Sequence, residues 1–120
     1  GFVGFGGPFA RPPRPAMVRE RLVCTDGDVT CELFADAFGA RLVPAPWAHA
    51  EAVAARAGTT LAGGALAVSP DGRVTVGRES VVIAALAGAS AIAAAHGMIA
   101  VTLADSHKVF VVGRAGQGAP

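Results

Sequence analysis

The feature that most constrains this chain is a run without any formally charged residue, from Val81 to Ala104. A run of this length could span a bilayer. Three observations argue against a membrane span. The pattern changes from helical to β-branched at Gly97, His96 would lie in the hydrocarbon, and most of the run is Ala, which drives insertion weakly.

The first two-thirds of this run has helical spacing, and the sequence predicts an Ala-rich helix over 81–96. One face carries bulky side chains and is expected to pack on a sheet. The other face is small and allows close approach of a second helix, from this chain or from a second subunit. The predicted interface on this small face consists of Ala84, Ala87, Gly88, Ala91 and Ala95.

Two β-hairpins are predicted on either side of this helix, at about 65–76 and 98–112. Residues on both sides of Ser69–Gly72 alternate between apolar and polar, and the four residues between them are typical of turns. Met98 to Leu103 and Val109 to Val112 are predicted to pair around the turn at 105–108.

The segment before these hairpins reads as a strand, helix and strand over 21–43. Asp28 is a suitable N-cap for a helix over 29–38, and Gly39 a suitable end. A further helix is predicted over 47–57, with an apolar stripe of Trp47, Ala50, Ala54 and Ala57.

These elements define an α+β, or small α/β, fold with a mixed sheet. The order of hairpin, helix and hairpin over 64–113 resembles the core of the roadblock and longin type of small regulatory domain. This resemblance implies a dimeric scaffold rather than an enzyme.

The predicted domain organisation is one globular domain over 17–113 with an extension at each end. Residues 1–16 are rich in Gly and Pro but carry Phe2, Phe5 and Phe9, which suggests an extended apolar arm that anchors on a neighbouring subunit. Residues 114–120 read as a flexible tail. The chain begins with glycine, which leaves N-terminal processing or organelle import open beside a cytoplasmic location.

The charge balance gives little support to nucleic-acid binding. Ten basic and nine acidic residues give a net charge of +1, so no strong field attracts a polyanion. The N-terminal arginines are the only basic cluster, and we expect no nucleic-acid partner.

The best candidate for chemistry is the segment Cys24 to Asp28, between a predicted strand and a predicted helix. Asp26 and Asp28, with Glu32 one helical turn later, could hold Mg²⁺ or another divalent metal, and Cys24 could be activated by the helix N-terminus. The same residues also make an ordinary turn and cap. Both Cys24 and Cys31 are expected to be reduced.

The three histidines have no metal-ligand spacing, and His96 is kept as a weak catalytic candidate. No cofactor is predicted outside the metal alternative.

The sequence therefore favours a non-enzymatic interaction or accessory subunit. It would self-associate or dock into a larger assembly, through the small helix face and the N-terminal arm. The alternative is a small metal-dependent or thiol enzyme that uses Cys24, Asp26 and Asp28.

Overall fold

Most of the residues that the structure describes lie in β-strands, which pair mainly antiparallel. The computed structural model describes residues 2–36, 39–55, 59–60, 66–69, 71–76, 79–82, 88–95 and 98–113. The strands in these residues are β1 (Phe2–Phe5), β2 (Arg14–Val18), β3 (Arg21–Thr25), β4 (Thr30–Asp36), β5 (Gly39–Pro44), β6 (Thr59–Thr60), β7 (Leu66–Val68), β8 (Arg73–Val76), β9 (Glu79–Val82), β10 (Ala89–Ala95), β11 (Met98–Leu103) and β12 (Val109–Gly113). A 3-10 turn at Pro46–Ala48 leads into the helix α1, His49–Ala54.

The four-stranded sheet has the order β2-β3-β4-β5, and each strand pairs antiparallel with the next. The turn between β3 and β4 depends on Asp26, whose Oδ1 accepts the backbone N–H groups of Asp28 (2.8 Å) and Val29 (2.9 Å). Gly27 has φ +99°, a conformation that favours glycine. This turn reverses the chain direction, so that β4 pairs antiparallel with β3.

The helix predicted over 29–38 is therefore wrong, because β4 occupies residues 30–36. Cys31 and Leu33 alternate with Thr30 and Glu32 between the two faces of the sheet, and all four are buried. Burial on both faces removes the polar positions by which a strand is recognised, so the apolar spacing also fitted a helix.

The five-stranded sheet has the order β1-β12-β11-β10-β6, with one parallel pairing, between β10 and β6. β11 and β12 pair antiparallel where the second hairpin is predicted. β1 pairs with β12, with Phe2 opposite Val112 and Phe5 opposite Val109. Much of the segment regarded as an arm is thus paired with strands of its own chain.

The helix predicted over 81–96 is wrong at its described residues. Val81 and Val82 end β9, Gly88 lies in a turn with φ +85°, and Ala89–Ala95 form β10. Residues 83–87 and 96–97 lie outside the described residues. Without this helix, the resemblance to roadblock and longin domains does not hold.

Burial explains the uncharged run that suggested the helix. In β10 and β11, residues that point to opposite faces are buried alike: Ala91, Ile92 and Ala93 on one strand, and Met98 through Thr102 on the other. Strands covered on both faces read as continuous apolar runs. The high helix propensity of Ala is overridden by this packing.

The three-stranded sheet has the order β7-β8-β9. β7 and β8 pair antiparallel where the first hairpin is predicted, with Leu66 opposite Val76. In the turn, the Gly72 N–H donates to the Ser69 carbonyl (2.9 Å) and the Ser69 hydroxyl donates to Asp71 (2.6 Å).

The main core lies between the five-stranded and four-stranded sheets. Its largest contributors are side chains of β3, β4, β11 and β12, together with Phe9 of the N-terminal segment. These buried residues are Phe9, Leu22, Cys24, Cys31, Leu33, Ala93, Met98, Ala100, Val109 and Val111.

A smaller core lies on the opposite face of the four-stranded sheet, where α1 covers β2 and β3. Ala45, Ala48 and Ala52 face Val23 and its neighbours. The helical segment is shorter than predicted, since Ala55 is already extended. Its buried face is also different: the described residues of the predicted stripe, Trp47, Ala50 and Ala54, are exposed.

The described residues thus combine antiparallel sheets with one short helix, in agreement with the predicted α+β class. None of the helices in the described part of the chain has the length and hydropathy required to cross a bilayer. The predicted tail, 114–120, lies outside the described residues.

Candidate interaction surface

Arg14 fixes the helix α1 on the four-stranded sheet. Its guanidinium donates to the carbonyl oxygens of Ala55 (2.7 Å), Ala52 (2.9 Å) and Val53 (3.3 Å). Ala52 and Val53 belong to the last turn of the helix and Ala55 is its C-cap residue, where carbonyls lack most of their intrahelical donors. The Ala52 carbonyl also accepts the Ala55 N–H, at the longer distance of 3.3 Å. A cation there also interacts favourably with the helix dipole. An arginine of the predicted arm is therefore a C-terminal cap for α1.

Arg19 binds the other end of the helix, at its first turn. Its guanidinium donates to Oε1 of Glu51 from Nη2 (2.6 Å) and Nε (3.1 Å), and its Cζ lies 5.9 Å from the centre of the Trp47 ring. Arg19 and Glu20 form the β2–β3 turn with φ of +53° and +63°. Left-handed backbone is uncommon outside glycine and marks stored strain. This turn holds Arg19 against the helix.

The outer side of this helical segment is an apolar surface, which we call the Trp47 surface. Trp47 is 45% exposed and Val53 is 47% exposed, although residues of these types are more often buried. Glu51 lies within the surface, and Arg19 neutralises it. The exposed residues that define the Trp47 surface are Pro46, Trp47, Ala50, Val53 and Ala54.

Beneath the helix, hydroxyl groups connect the sheet to His49. The Thr30 hydroxyl donates to Oγ1 of Thr25 (2.9 Å), which also accepts the N–H of Gly27 (3.2 Å). Oγ1 of Thr30 lies 2.7 Å from Nδ1 of His49. Thr25 and Thr30 are buried, so the chain of hydrogen bonds anchors the start of α1.

The same sheet face carries a row of charged and aromatic side chains beyond the helix. Arg21 donates to Glu32 (2.5 Å), whose side chain is only 8% exposed. The Cζ atoms of Arg21 and Arg41 lie 5.6 Å and 5.3 Å from the centre of the Phe34 ring. These are cation–π distances.

Asp26, a predicted catalytic and metal candidate, acts as a backbone acceptor. Its carboxylate accepts the N–H groups of Asp28, Val29 and, through Oδ2, Ala10 (3.1 Å). Partial desolvation acts to raise the pKa of Asp26, but these N–H groups and the charge of Arg11 lower the pKa below its usual range. The carboxylate joins the N-terminal segment to the β3–β4 turn.

Cys24 and Cys31 lie directly opposite each other on β3 and β4, both as buried free thiols. Burial, and then the neighbouring Cys31, raise the pKa of Cys24 far above its ordinary value; burial likewise raises the pKa of Cys31. A thiol must ionise to act as a nucleophile. This environment therefore disfavours Cys24 as a nucleophile.

The two other metal candidates are paired with arginines. Asp28 makes an ion pair with Arg11 (2.5 Å), and Glu32 makes its ion pair with Arg21. Residues 30–36 form an extended strand, so Glu32 lies farther along β4 from the Asp26–Asp28 turn. In the predicted helix, Glu32 would have been one helical turn from Asp28. Within the described ranges, no three His, Cys, Asp or Glu side chains are grouped so that they could hold a metal ion.

The predicted interface residues are dispersed. Phe9 is 5% exposed within the main core, and Ala91 is 7% exposed in β10. Gly88 lies in a turn and Ala95 in β10, while Phe2 and Phe5 belong to β1. Ala84, Ala87 and the catalytic candidate His96 lie outside the described residues.

The sequence analysis did not predict that Trp47 is exposed, that His49 contacts the sheet, or that Arg14 and Arg19 bind the helix. A signal for the helix orientation was present, since Ala45, Ala48, Ala52 and Ala55 also recur at helical spacing. The arginine contacts join residues more than thirty positions apart, and no local pattern indicates them.

Comparisons with protein-family models, with curated proteins and with solved structures found no match for this chain.

Proposed function

We propose that this protein is a non-enzymatic interaction or accessory subunit that self-associates or docks into a larger assembly through the Trp47 surface. The observation that carries the proposal is a half-exposed Trp47 ring beneath the guanidinium of Arg19. Trp is the residue type most enriched among energetically dominant interface positions. Arg19 already restricts the ring, so little side-chain freedom is lost on binding.

Two further features support a binding role for this surface. Its apolar residues follow one another over two turns, whereas apolar residues scattered singly are ordinary on protein surfaces. The segment beneath it is fixed at both ends, by Arg14 and by Arg19. Rigid elements present a binding surface more accurately than loops do.

The alternative, a small metal-dependent or thiol enzyme, has less support. Cys24 is buried with a raised pKa. Asp26 and Asp28 are occupied by backbone N–H groups and by Arg11. Among the described residues, every buried side-chain nitrogen or oxygen has a hydrogen-bond partner, so none is left aimed at a ligand.

The sole tryptophan of the chain provides a direct test. We expect its fluorescence emission to shift to shorter wavelength with increasing protein concentration, while light scattering shows the mass rise above 11.9 kDa. Trp47→Ala should fold normally and remain monomeric. Trp47 is exposed, so folding of the variant can be verified by circular dichroism without a large loss of stability.

The matched control is Val82→Ala, since Val82 is 49% exposed and lies on β9 of the three-stranded sheet, outside the residues that define the Trp47 surface. This variant should associate like the natural chain. A chain that is monomeric at every concentration, and that also elutes at its own mass from an extract of its source, would overturn the proposal. Association that Trp47→Ala leaves unchanged would reject this surface.

A further inference from the structure

The strand β5 forms one edge of the four-stranded sheet. Within the described part of the chain, β4 is the only strand that pairs with it. The edge is short and partly exposed, with Arg41 exposed and Leu42 half-buried. Edge strands carry main-chain groups that can pair with a further strand.

The backbone of β5 presents hydrogen-bonding groups at this outer edge. The Ala45 N–H donates to the Thr30 carbonyl (2.8 Å), so the backbone groups of Thr30 point toward β5. Because these directions alternate along a strand pair, Ala40 and Leu42 turn their N–H and C=O groups away from β4. Pro44 has the same orientation, and proline is tolerated where an N–H would point out of the sheet.

Side chains of three neighbouring strands form a row that ends at this edge. Phe34 lies opposite Arg41, and the pairing of Val23 with Glu32 places Arg21 opposite Phe34 on the other side. Both guanidiniums stack on the Phe34 ring. Arg41, the outermost member, is therefore a cation held in place beside the edge.

We propose that the outer edge of β5 binds an extended acidic segment of a partner protein as a fifth strand of this sheet. Peptides add to sheet edges by main-chain hydrogen bonds, while alternate side chains give specificity. Here Ala40 and Leu42 provide the main-chain groups. The proposal rests on the proposed function only in that the protein acts by binding other proteins.

The acidic residue of the added strand lies opposite Arg41. The backbone of Arg41 faces β4, so its pairing with the added strand is of the non-hydrogen-bonded type, in which side chains are closest. Arg41 also has a further interaction within its own chain. In the proposed complex the carboxylate joins this existing interaction, because a guanidinium has five N–H donors. The neighbouring residues of the added strand are apolar, since they flank the half-buried Ala40 and Leu42.

The probe is the synthetic peptide acetyl-Ser-Thr-Val-Glu-Val-Thr-Ser-amide, added to ¹⁵N-labelled protein. We expect the amide signals of Ala40 and Leu42 to shift most. A peptide with Lys in place of the central Glu should bind about two- to fivefold more weakly, as expected for a cross-strand pair whose charges become alike. Methylation of alternate peptide nitrogens should abolish binding, because it removes main-chain pairing and keeps the charge.

On the protein side, Arg41→Gln should weaken binding of the Glu peptide by a similar factor. Arg73→Gln is the matched control, because Arg73 is an exposed arginine of β8 in another sheet, and it should bind normally. Equal binding by the N-methylated peptide would overturn the proposal, and so would shifts confined to other strands or an unchanged affinity in Arg41→Gln.

Trp47→Ala separates this inference from the proposed function. The variant should lose association through the Trp47 surface and keep the affinity for the Glu peptide. If β5 does not bind the peptide while Trp47-dependent association persists, only the inference fails. If the peptide binds but no association depends on Trp47, only the proposed function fails.

Discussion

At the scale of single residues, Arg14 and Arg19 stabilise the fold through contacts with residues that are distant from them in sequence. Arg14 donates hydrogen bonds to carbonyl oxygens at the C-terminal end of α1, and Arg19 donates to the carboxylate of Glu51 in the same helix. Such a short helix has little intrinsic stability. Its position therefore depends on packing and on these two side chains.

Arg14→Met is predicted to destabilise the protein by about 1–3 kcal/mol, because charge-assisted hydrogen bonds to the half-buried carbonyls are lost. Methionine retains most of the side-chain volume. The free energy of unfolding in urea measures the effect. Arg73→Met is the control, since Arg73 donates to the exposed Ser80 hydroxyl (3.2 Å). Equal losses in the two variants would contradict the capping role.

Asp26 predicts a specific dependence of stability on pH. Its pKa is lower in the folded protein than in the unfolded chain, so its ionised form favours folding. This contribution is complete above the unfolded pKa of about 4, and it is lost as the pH falls through the folded pKa. Urea unfolding between pH 6 and pH 2 should show a smaller acid-induced loss in Asp26→Asn than in the natural chain. Identical pH profiles would reject this assignment.

At the scale of elements, the β2–β3 turn is strained because two residues with side chains adopt positive φ. Glu20→Gly is predicted to stabilise the protein by up to about 1 kcal/mol, since glycine adopts this conformation without a steric penalty. The midpoint of thermal unfolding provides the measurement. The comparison is Glu20→Ala, which keeps a Cβ atom and should give no such gain.

β10 depends on the small volume of its buried side chains. Ala93 is fully buried in the main core, and Ala93→Leu should cost about 1–3 kcal/mol by overpacking. Ala50→Leu on the exposed side of α1 is the control and should be nearly neutral. The difference in unfolding free energy between these variants decides whether β10 is closely packed. A tolerated Ala93→Leu would indicate space that the structure does not show.

Prediction from sequence succeeded where turns are encoded locally and failed where burial is symmetrical. The turns at Ser69–Gly72 and 105–108 were placed correctly because turn-forming residues separate two β-forming segments in each case. The residues that flank Ser69–Gly72 also alternate. The segments 29–38 and 81–96 were assigned to helices because both faces of the actual strands are covered. Periodicity alone cannot separate these cases.

The candidate surface was the least predictable part. Its chemistry depends on Trp47 being outside, and this depends on which of two alanine-containing faces of the helix meets the sheet. Arg14 and Arg19 contribute to that choice from a distant part of the chain. Asp26 and Gly27 were recognised as a turn, but the turn reverses a strand and does not begin a helix.

At the scale of the whole molecule, the N-terminal and C-terminal strands are joined by the pairing of β1 with β12. Removal of residues 1–5 should lower the free energy of unfolding and leave the outer edge of β12 unpaired. Unpaired edges promote intermolecular association. Light scattering should detect slow aggregation of the truncated chain, at concentrations where the natural chain is stable. A truncated protein with unchanged stability and solubility would show that β1 contributes little.

The pairing of β1 with β12 also means that β1 cannot pair until β12 has been synthesised. β1 (Phe2–Phe5) is translated well before β12 (Val109–Gly113), and a ribosome adds roughly 5–20 residues per second. The first strand therefore waits on the order of 5–20 s for its partner. Throughout this interval the nascent chain carries the exposed segment FVGF, while the strands at 14–44 can already pair locally. A chaperone that recognises short, unpaired aromatic segments would bind this segment on the ribosome, before it pairs with β12.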